Sequence, residues 1–246
     1  MRREYAYHWK KAAAELLFPR RLCACCGAES PEDILCPDCR AAQENLRPCP
    51  TCASFLLFTK PEGYRCATCR SQERPFHLAR AALPYEGLLR ERLRAFKYDG
   101  ATGQRRYLAP LLVESYFRFF TVFPIDTLLP VPLSAGRFRE RGYNHAEMLS
   151  SLLAAEISLP HRPELLLRQR DTRPLAKLSP PERERELQGT FFAKPDCAGR
   201  SILLVDDIFT SGATASACTQ ALLKAGAEAV YVLTVAAGWD LESNCP

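Results

Sequence analysis

Ile202-Leu203-Leu204-Val205-Asp206-Asp207-Ile208-Phe209-Thr210-Ser211-Gly212-Ala213-Thr214 decides how this chain is read. An unbroken apolar run reads as a strand buried on both faces, which is the habit of parallel sheets. Two adjacent acids follow. Then come hydroxyls around a glycine and the start of a helical pattern at Ala213. Ligands bind at the carboxyl ends of such strands. Loop amides and a helix N-terminus there form an anion site. Thr210, Ser211 and Thr214 add hydroxyl donors, and Gly212 lets the backbone approach a phosphate closely. Asp206 and Asp207 repel phosphate, so they must face something else. Neighbouring hydroxyls of a ribose suit them as donors to the two carboxylates.

The spacing along the rest of the chain predicts strands over 78–85, 125–131, 164–168, 201–206 and 228–236. Helical patterns cover 87–98, 106–121, 144–157 and 213–225, the last ended by Gly226 as C-cap. The alternation predicts an α/β fold with a parallel sheet covered on both faces and right-handed crossovers. Gln169 to Gln188 is polar and rich in Arg, Glu and Pro, and reads as a loop. Cys218 falls in an apolar helical pattern and is expected in the core.

Before residue 75 the chain changes character. Eight of its twelve cysteines form the pairs Cys23/Cys26, Cys36/Cys39, Cys49/Cys52 and Cys66/Cys69. Apolar runs there are short, so the segment needs a staple. Two Cys-x-x-Cys turns complete a tetrahedral four-thiolate site, which points to structural zinc, two ions in all. Nine residues separate Cys26 from Cys36, and thirteen separate Cys52 from Cys66. Sequential sites close the shorter loops and are favoured over interleaved ones. Cys25 competes with Cys26 as a ligand. The expected division is 1–75 for the N-terminal segment and double zinc ribbon, and 76–240 for the α/β domain.

A second loop follows the strand at 125–131. Arg137, Arg139 and Arg141 fall within five residues, ahead of Gly142-Tyr143-Asn144-His145. Three guanidiniums beside an anionic ligand suit pyrophosphate, which Arg binds bidentately. The plain alternative is three solvated arginines.

The acid–acid loop resembles the signature of type I phosphoribosyltransferases, which bind 5-phosphoribosyl 1-pyrophosphate (PRPP). With the cysteine pairs, Phe96-Lys97-Tyr98, Val131-Pro132 and Arg141-Gly142-Tyr143-Asn144, the chain resembles ComF-type competence proteins from about Leu16 to Ala237. That resemblance implies a double zinc ribbon before a type I phosphoribosyltransferase domain. It implies that Asp206 and Asp207 hold the ribose hydroxyls as catalytic residues, and that Thr210, Ser211, Gly212, Ala213 and Thr214 hold the 5′-phosphate. It places Arg137, Arg139 and Arg141 at the pyrophosphate, with Mg2+ accompanying PRPP. It also links the chain to DNA uptake in natural transformation, and to a helicase of the uptake machinery as a docking partner. Arg168, Arg170 and Thr172 match the family's Arg-x-Arg-x-Thr stretch. Leu175 stands where Gln is usual, Glu186 where Asn is usual, and His145 where Gln is usual. The 169–188 stretch corresponds to the flexible loop over the active site.

The chain has 246 residues and a formal net charge of +5, which suits an anionic ligand without requiring one. No apolar run is long enough to span a bilayer. The first twenty residues read as a short amphipathic helix rather than a signal peptide, so a cytoplasmic location is expected. Two functions stay open. One is enzymatic: a nucleophile displaces pyrophosphate from PRPP. The other is a non-catalytic protein that binds single-stranded DNA or a partner and uses the fold as a ligand sensor. For the second, Arg90, Arg92, Arg94, Lys97, Arg105 and Arg106 with Phe96, Tyr98 and Tyr107 form a basic, aromatic tract, interrupted by Glu86, Glu91 and Asp99, the plain alternative being a solvated helix face.

Overall fold

A computed structural model describes residues 22–57, 59–173 and 178–240. The segment before Leu22, Leu175 and Cys245 lie outside the described residues.

The cysteine-rich segment is built from very short elements. Helix α1 (Pro37–Glu44) starts directly after Cys36, and helix α2 (Ala67–Ser71) directly after Cys66. Each second Cys-x-x-Cys pair thus sits on a helix's first turn, where amides and the helix dipole favour thiolates. Between the helices, β1 (Arg47–Pro48) and β2 (Phe55–Leu56) form a small antiparallel ladder.

The central sheet has four parallel strands: β3 (Leu78–Pro84), β4 (Thr127–Pro130), β7 (Ser201–Phe209) and β8 (Ala229–Ala237), in the order β3-β8-β7-β4. Between them along the chain lie α3 (Gly87–Tyr98), α4 (Arg105–Phe119), α5 (Ala135–Arg141) and α6 (His145–Ile157). The antiparallel pair β5 (Leu166–Arg168) and β6 (Phe191–Ala193) brackets α7 (Pro180–Leu187). Helix α8 (Ala213–Lys224) joins β7 to β8.

Alternation along the strands sends side chains to two cores. Leu203, Val205, Tyr231 and Leu233 pack with Leu108, Leu111 and Leu112 of α4 and Leu149 and Leu153 of α6. Ile202, Leu204, Val230 and Val232 pack with Cys218 and Leu222 of α8 and with Phe191 and Ala193. Each buried Leu or Val contributes roughly 1.5–3 kcal/mol before the opposing chain entropy. Both faces are therefore covered, as the continuous apolar strands require. The two cysteine groups divide between the faces. Cys23 and Cys36 join the α4–α6 core, while Cys49, Cys52, Cys66 and Cys69 join the α8 core.

Three segments differ from the sequence reading. β7 continues through both acids to Phe209, because Ile208 and Phe209 keep pairing with Ala236 and Ala237 of β8. The arginine loop is the short helix α5, capped by Ser134, which accepts from the Arg137 amide. The polar stretch holds α7, opened by a capping box in which Glu182 accepts from the Ser179 amide at 2.8 Å.

Candidate functional site

The carboxyl ends of β4 and β7 bring together groups that lie far apart in sequence. Asp206 and Asp207 leave β7 on opposite faces, as consecutive strand residues must. Asp206 is partly buried and pairs in register with Thr234; Asp207 is 3% exposed. The strand then turns through Thr210 and Ser211 to Gly212, which caps α8 with a φ of 78°. A Cβ on Gly212 would stand 2.6 Å from the Phe209 ring, so a glycine is required there on two counts. The loop thus delivers backbone amides at the start of a twelve-residue helix.

A lysine faces the acids. Nζ of Lys97, on the last turn of α3, lies 2.6 Å from Oδ2 of Asp207, and its side chain is 19% exposed. Burial pulls the Lys97 amine down to about 8, while Asp206 opposes that shift and Arg141 and Arg137 reinforce it. Burial pushes the Asp206 carboxyl up to about 6, against the pull of Lys97 and Arg168.

His145 is buried beside them, with Nε2 3.2 Å from Asp207 Oδ2. Its Nδ1 lies 3.3 Å from Nη1 of Arg141. A guanidinium only donates, so Nδ1 accepts and the ring proton sits on Nε2. Burial, then Lys97, Arg141 and Arg137, holds His145 well below its usual value, so the ring is neutral. Local structure fixes this arrangement. Asn144 caps α6 by accepting from the Ala146 amide, and its Nδ2 donates to the Val131 carbonyl at 3.1 Å. The Tyr143 hydroxyl donates to the Phe96 carbonyl, which ties the end of α3 to the start of α6.

The three predicted arginines do not act alike. Arg137 and Arg141, four apart on α5, share one side and both influence Lys97 and His145. Arg139 is exposed and bears instead on Asp171, whose carboxyl is held below its usual range chiefly by the Ser134 hydroxyl. Arg168, on β5, bears electrostatically on Asp206. Glu186 accepts from the Arg173 amide at 3.0 Å and pairs with its guanidinium at 2.9 Å, so it ties the 168–173 segment to α7.

Sequence reasoning missed Lys97 and Arg168 as site residues. It placed Lys97 in the basic tract over α3. The structure also buries Arg92, which stacks on Tyr107 at 3.8 Å, while Arg90, Arg94, Arg105 and Arg106 remain exposed.

The hollow between Asp206, Ile208, Thr210, Gly212, Thr214 and Thr234 is about 20 Å³, room for roughly one water. A larger cleft, about 450 Å³, lies between Leu46, Arg47, Pro48, Leu56, Lys60 and Tyr64, and carries none of the acid-pair or loop residues.

The cysteines gather sequentially. One group is Cys23, Cys26, Cys36 and Cys39, the other Cys49, Cys52, Cys66 and Cys69, with ligand atoms within 4.8 Å of one another in each. Sγ separations of 3.6 Å for Cys26–Cys36 and 3.5 Å for Cys52–Cys66 are close to the ~3.8 Å edge that Zn–S bonds of ~2.3 Å give a tetrahedron. Both groups can therefore hold a metal by four thiolates. In the second all four cysteines are buried, whereas Cys26 of the first is exposed. The interleaved pairing is thereby set aside, and Cys26 rather than Cys25 completes the first group.

No helix among the described residues is long and apolar enough to cross a membrane. No protein-family model matches the chain. Among curated proteins it is 28% identical over 204 residues to competence protein F of Haemophilus influenzae, covering 80% of this chain and 88% of that one. It is 29% identical over 214 residues to the DNA utilization protein YhgH of Escherichia coli, covering 86% and 88%. It is 28% identical over 206 residues to competence protein ComFC of Streptococcus pneumoniae, covering 83% and 88%. A solved glutamine PRPP amidotransferase from B. subtilis, complexed with ADP and GMP, aligns at 19% identity and a TM-score of 0.35 over 52% of this chain and 25% of that one. The resemblance seen in the motifs thus extends along most of this chain and of each of these proteins, and the chain is similar throughout that length to ComF-type competence proteins.

Proposed function

We propose that this protein binds PRPP through the β7–α8 loop and serves DNA uptake in natural transformation from the cytoplasm. One observation carries the ligand reading: two acids on a parallel strand run directly into a hydroxyl–glycine–hydroxyl turn that opens α8. In this reading the amides and hydroxyls of Thr210 to Thr214 take the 5′-phosphate. Asp206 and Asp207 accept from the ribose hydroxyls. Arg137 and Arg141 face the pyrophosphate, with Arg139 at the margin. The DNA-uptake role rests on the names of relatives, competence protein F and competence protein ComFC.

The two cysteine groups would hold structural zinc. Their donor sets are all thiolate, which leaves no open position for water. A closed site stabilises the fold and supplies no chemistry to PRPP. Mg2+ suits the pyrophosphate oxygens of the ligand rather than the acid pair, because Asp207 already faces Lys97. In an enzymatic role the arginines would stabilise charge developing on departing pyrophosphate.

Calorimetric titration of the zinc-loaded full-length chain with PRPP tests the reading. Binding that is lost in Asp206→Asn/Asp207→Asn supports it. Equal affinity in that folded variant removes the site assignment. Retention of single-stranded DNA binding by the same variant, with PRPP binding absent from the native protein as well, favours the non-catalytic DNA-handling alternative on the exposed arginines of α3 and α4.

A further inference from the structure

A carboxylate buried to this degree needs a positive partner, because an isolated buried charge is strongly unfavourable. Asp207 has an oxygen, Oδ2, that no donor reaches with hydrogen-bond geometry among the described residues. What stands before it is Nζ of Lys97 at 2.6 Å and Nε2 of His145 at 3.2 Å. His145, Asp206 and Asp207 bring their ligand atoms within 4.8 Å of one another, which is the arrangement of a three-donor metal site. Once the ring proton moves from Nε2 to Nδ1, nitrogen and carboxylate donors of that kind suit first-row divalent ions such as Mn2+. Yet a guanidinium pair, Arg137 and Arg141, and the lysine itself surround the group with positive charge.

We propose that Lys97 is a built-in cation: its ammonium takes the place of a divalent metal among Asp206, Asp207 and His145, and so excludes metal from the acid pair. The lysine neutralises the acids without coordinating them. It therefore leaves carboxylate oxygens free to accept from a ligand's hydroxyls, which a bound ion would consume. The Tyr143–Phe96 tie holds the end of α3 in position for this. Lys97 is thus a positioning residue for the acids. The proposal rests on the phosphoribosyl reading for the ligand's identity, but its test needs no phosphoribosyl ligand.

The test is titration of zinc-loaded, full-length protein with Mn2+, reading free ion by electron paramagnetic resonance. The native protein and Lys97→Arg should show no site that Asp207→Asn removes. Lys97→Met should gain one site per chain, binding at least about tenfold more tightly than any on the native protein, or ~1.4 kcal/mol. Lys97→Met/Asp207→Asn should lose it. Should Lys97→Met melt early, Mn2+ should raise its melting temperature and leave the native protein's unchanged. Native protein that binds Mn2+ at an Asp207-dependent site overturns the proposal. So does a Lys97→Met chain that gains neither a site nor a Mn2+-dependent rise in melting temperature. PRPP calorimetry is a separate readout: PRPP binding with a failed Mn2+ result sinks only the lysine's role, and the converse sinks only the ligand assignment.

Discussion

Arg74, five residues past the last paired cysteine, donates from Nη2 to the Ser211 carbonyl at 2.9 Å. The same side chain bears electrostatically on the Cys69 thiol. One guanidinium therefore joins the second cysteine group to the loop that follows the acid pair. Phe76 adds an edge-on contact with Phe209, ring centroids 6.1 Å apart. The staple of a segment without a core of its own is thus also a support for the candidate phosphate loop. A charge-assisted hydrogen bond of this kind contributes about 1.5–3 kcal/mol. Arg74→Met should weaken PRPP binding by about tenfold while leaving metal content unchanged. Calorimetry and metal analysis on the same sample check this. Unaltered affinity would mean that the loop holds its shape without the guanidinium.

The two cysteine groups should differ in what their loss does. The second group is buried throughout and packs in the α8 core, whereas Cys26 of the first is exposed. Cys52→Ser should lose one metal equivalent and lower the melting temperature well beyond Cys26→Ser, since structural metal binding is itself folding free energy. Strong chelation should release metal from the first group before the second. Metal analysis and thermal melts of the two variants decide it. Equal losses in both would show that burial does not set the order.

How far the sequence reached depends on how local each signal was. The buried strands, α3, α4, α6, α8 and the sequential cysteine pairs follow from periodicity and spacing within one segment. The same holds for the acid–acid loop, because strand, acids and turn are contiguous. Lys97 was legible as a residue but not as a partner. Its neighbour Asp207 lies 110 positions on, and only the order β3-β8-β7-β4 with the α3–α6 tie brings them together. Arg139 illustrates the opposite case. Three arginines close in sequence read as one cluster, but a helix sends alternate positions to opposite sides. Helix α7 did carry a local signal, Ser179-Pro-Pro-Glu182, a capping box hidden in a stretch read as loop for its polarity.

Gly212 offers a test of the loop's backbone. Its φ of 78° lies in the left-handed region, and an added Cβ would meet Phe209 Cζ at 2.6 Å. Gly212→Ala should destabilise the protein by about 1–3 kcal/mol, from both backbone strain and the clash. Adding Phe209→Leu should recover only the steric share, since the strained φ remains. Denaturant unfolding of the single and double variants measures both parts. Full recovery in the double variant would show that the clash alone requires glycine.

Asp206 should set a pH dependence of stability whose sign is fixed by its environment. Burial raises its carboxyl from 3.8 to about 6, with Lys97 and Arg168 opposing. The folded chain therefore binds this proton more tightly than the unfolded one. The stability so gained is complete below the unfolded value and is lost as pH rises from about 4 through about 6. For a shift of this size the change is about 3 kcal/mol. Asp206→Asn removes the group. At about pH 7.5 the variant should be more stable than the native protein, by about 2–4 °C in melting temperature for each kcal/mol. The gap should shrink toward about pH 4.5, where the native carboxyl is protonated. The same change should weaken PRPP binding, because an amide is a poorer acceptor for a ribose hydroxyl than a carboxylate. Stability gained as binding is lost is the mark of a charge kept for its ligand. Thermal melts across pH, with calorimetry at one pH, check both halves. Parallel pH profiles for variant and native protein would place the Asp206 proton elsewhere.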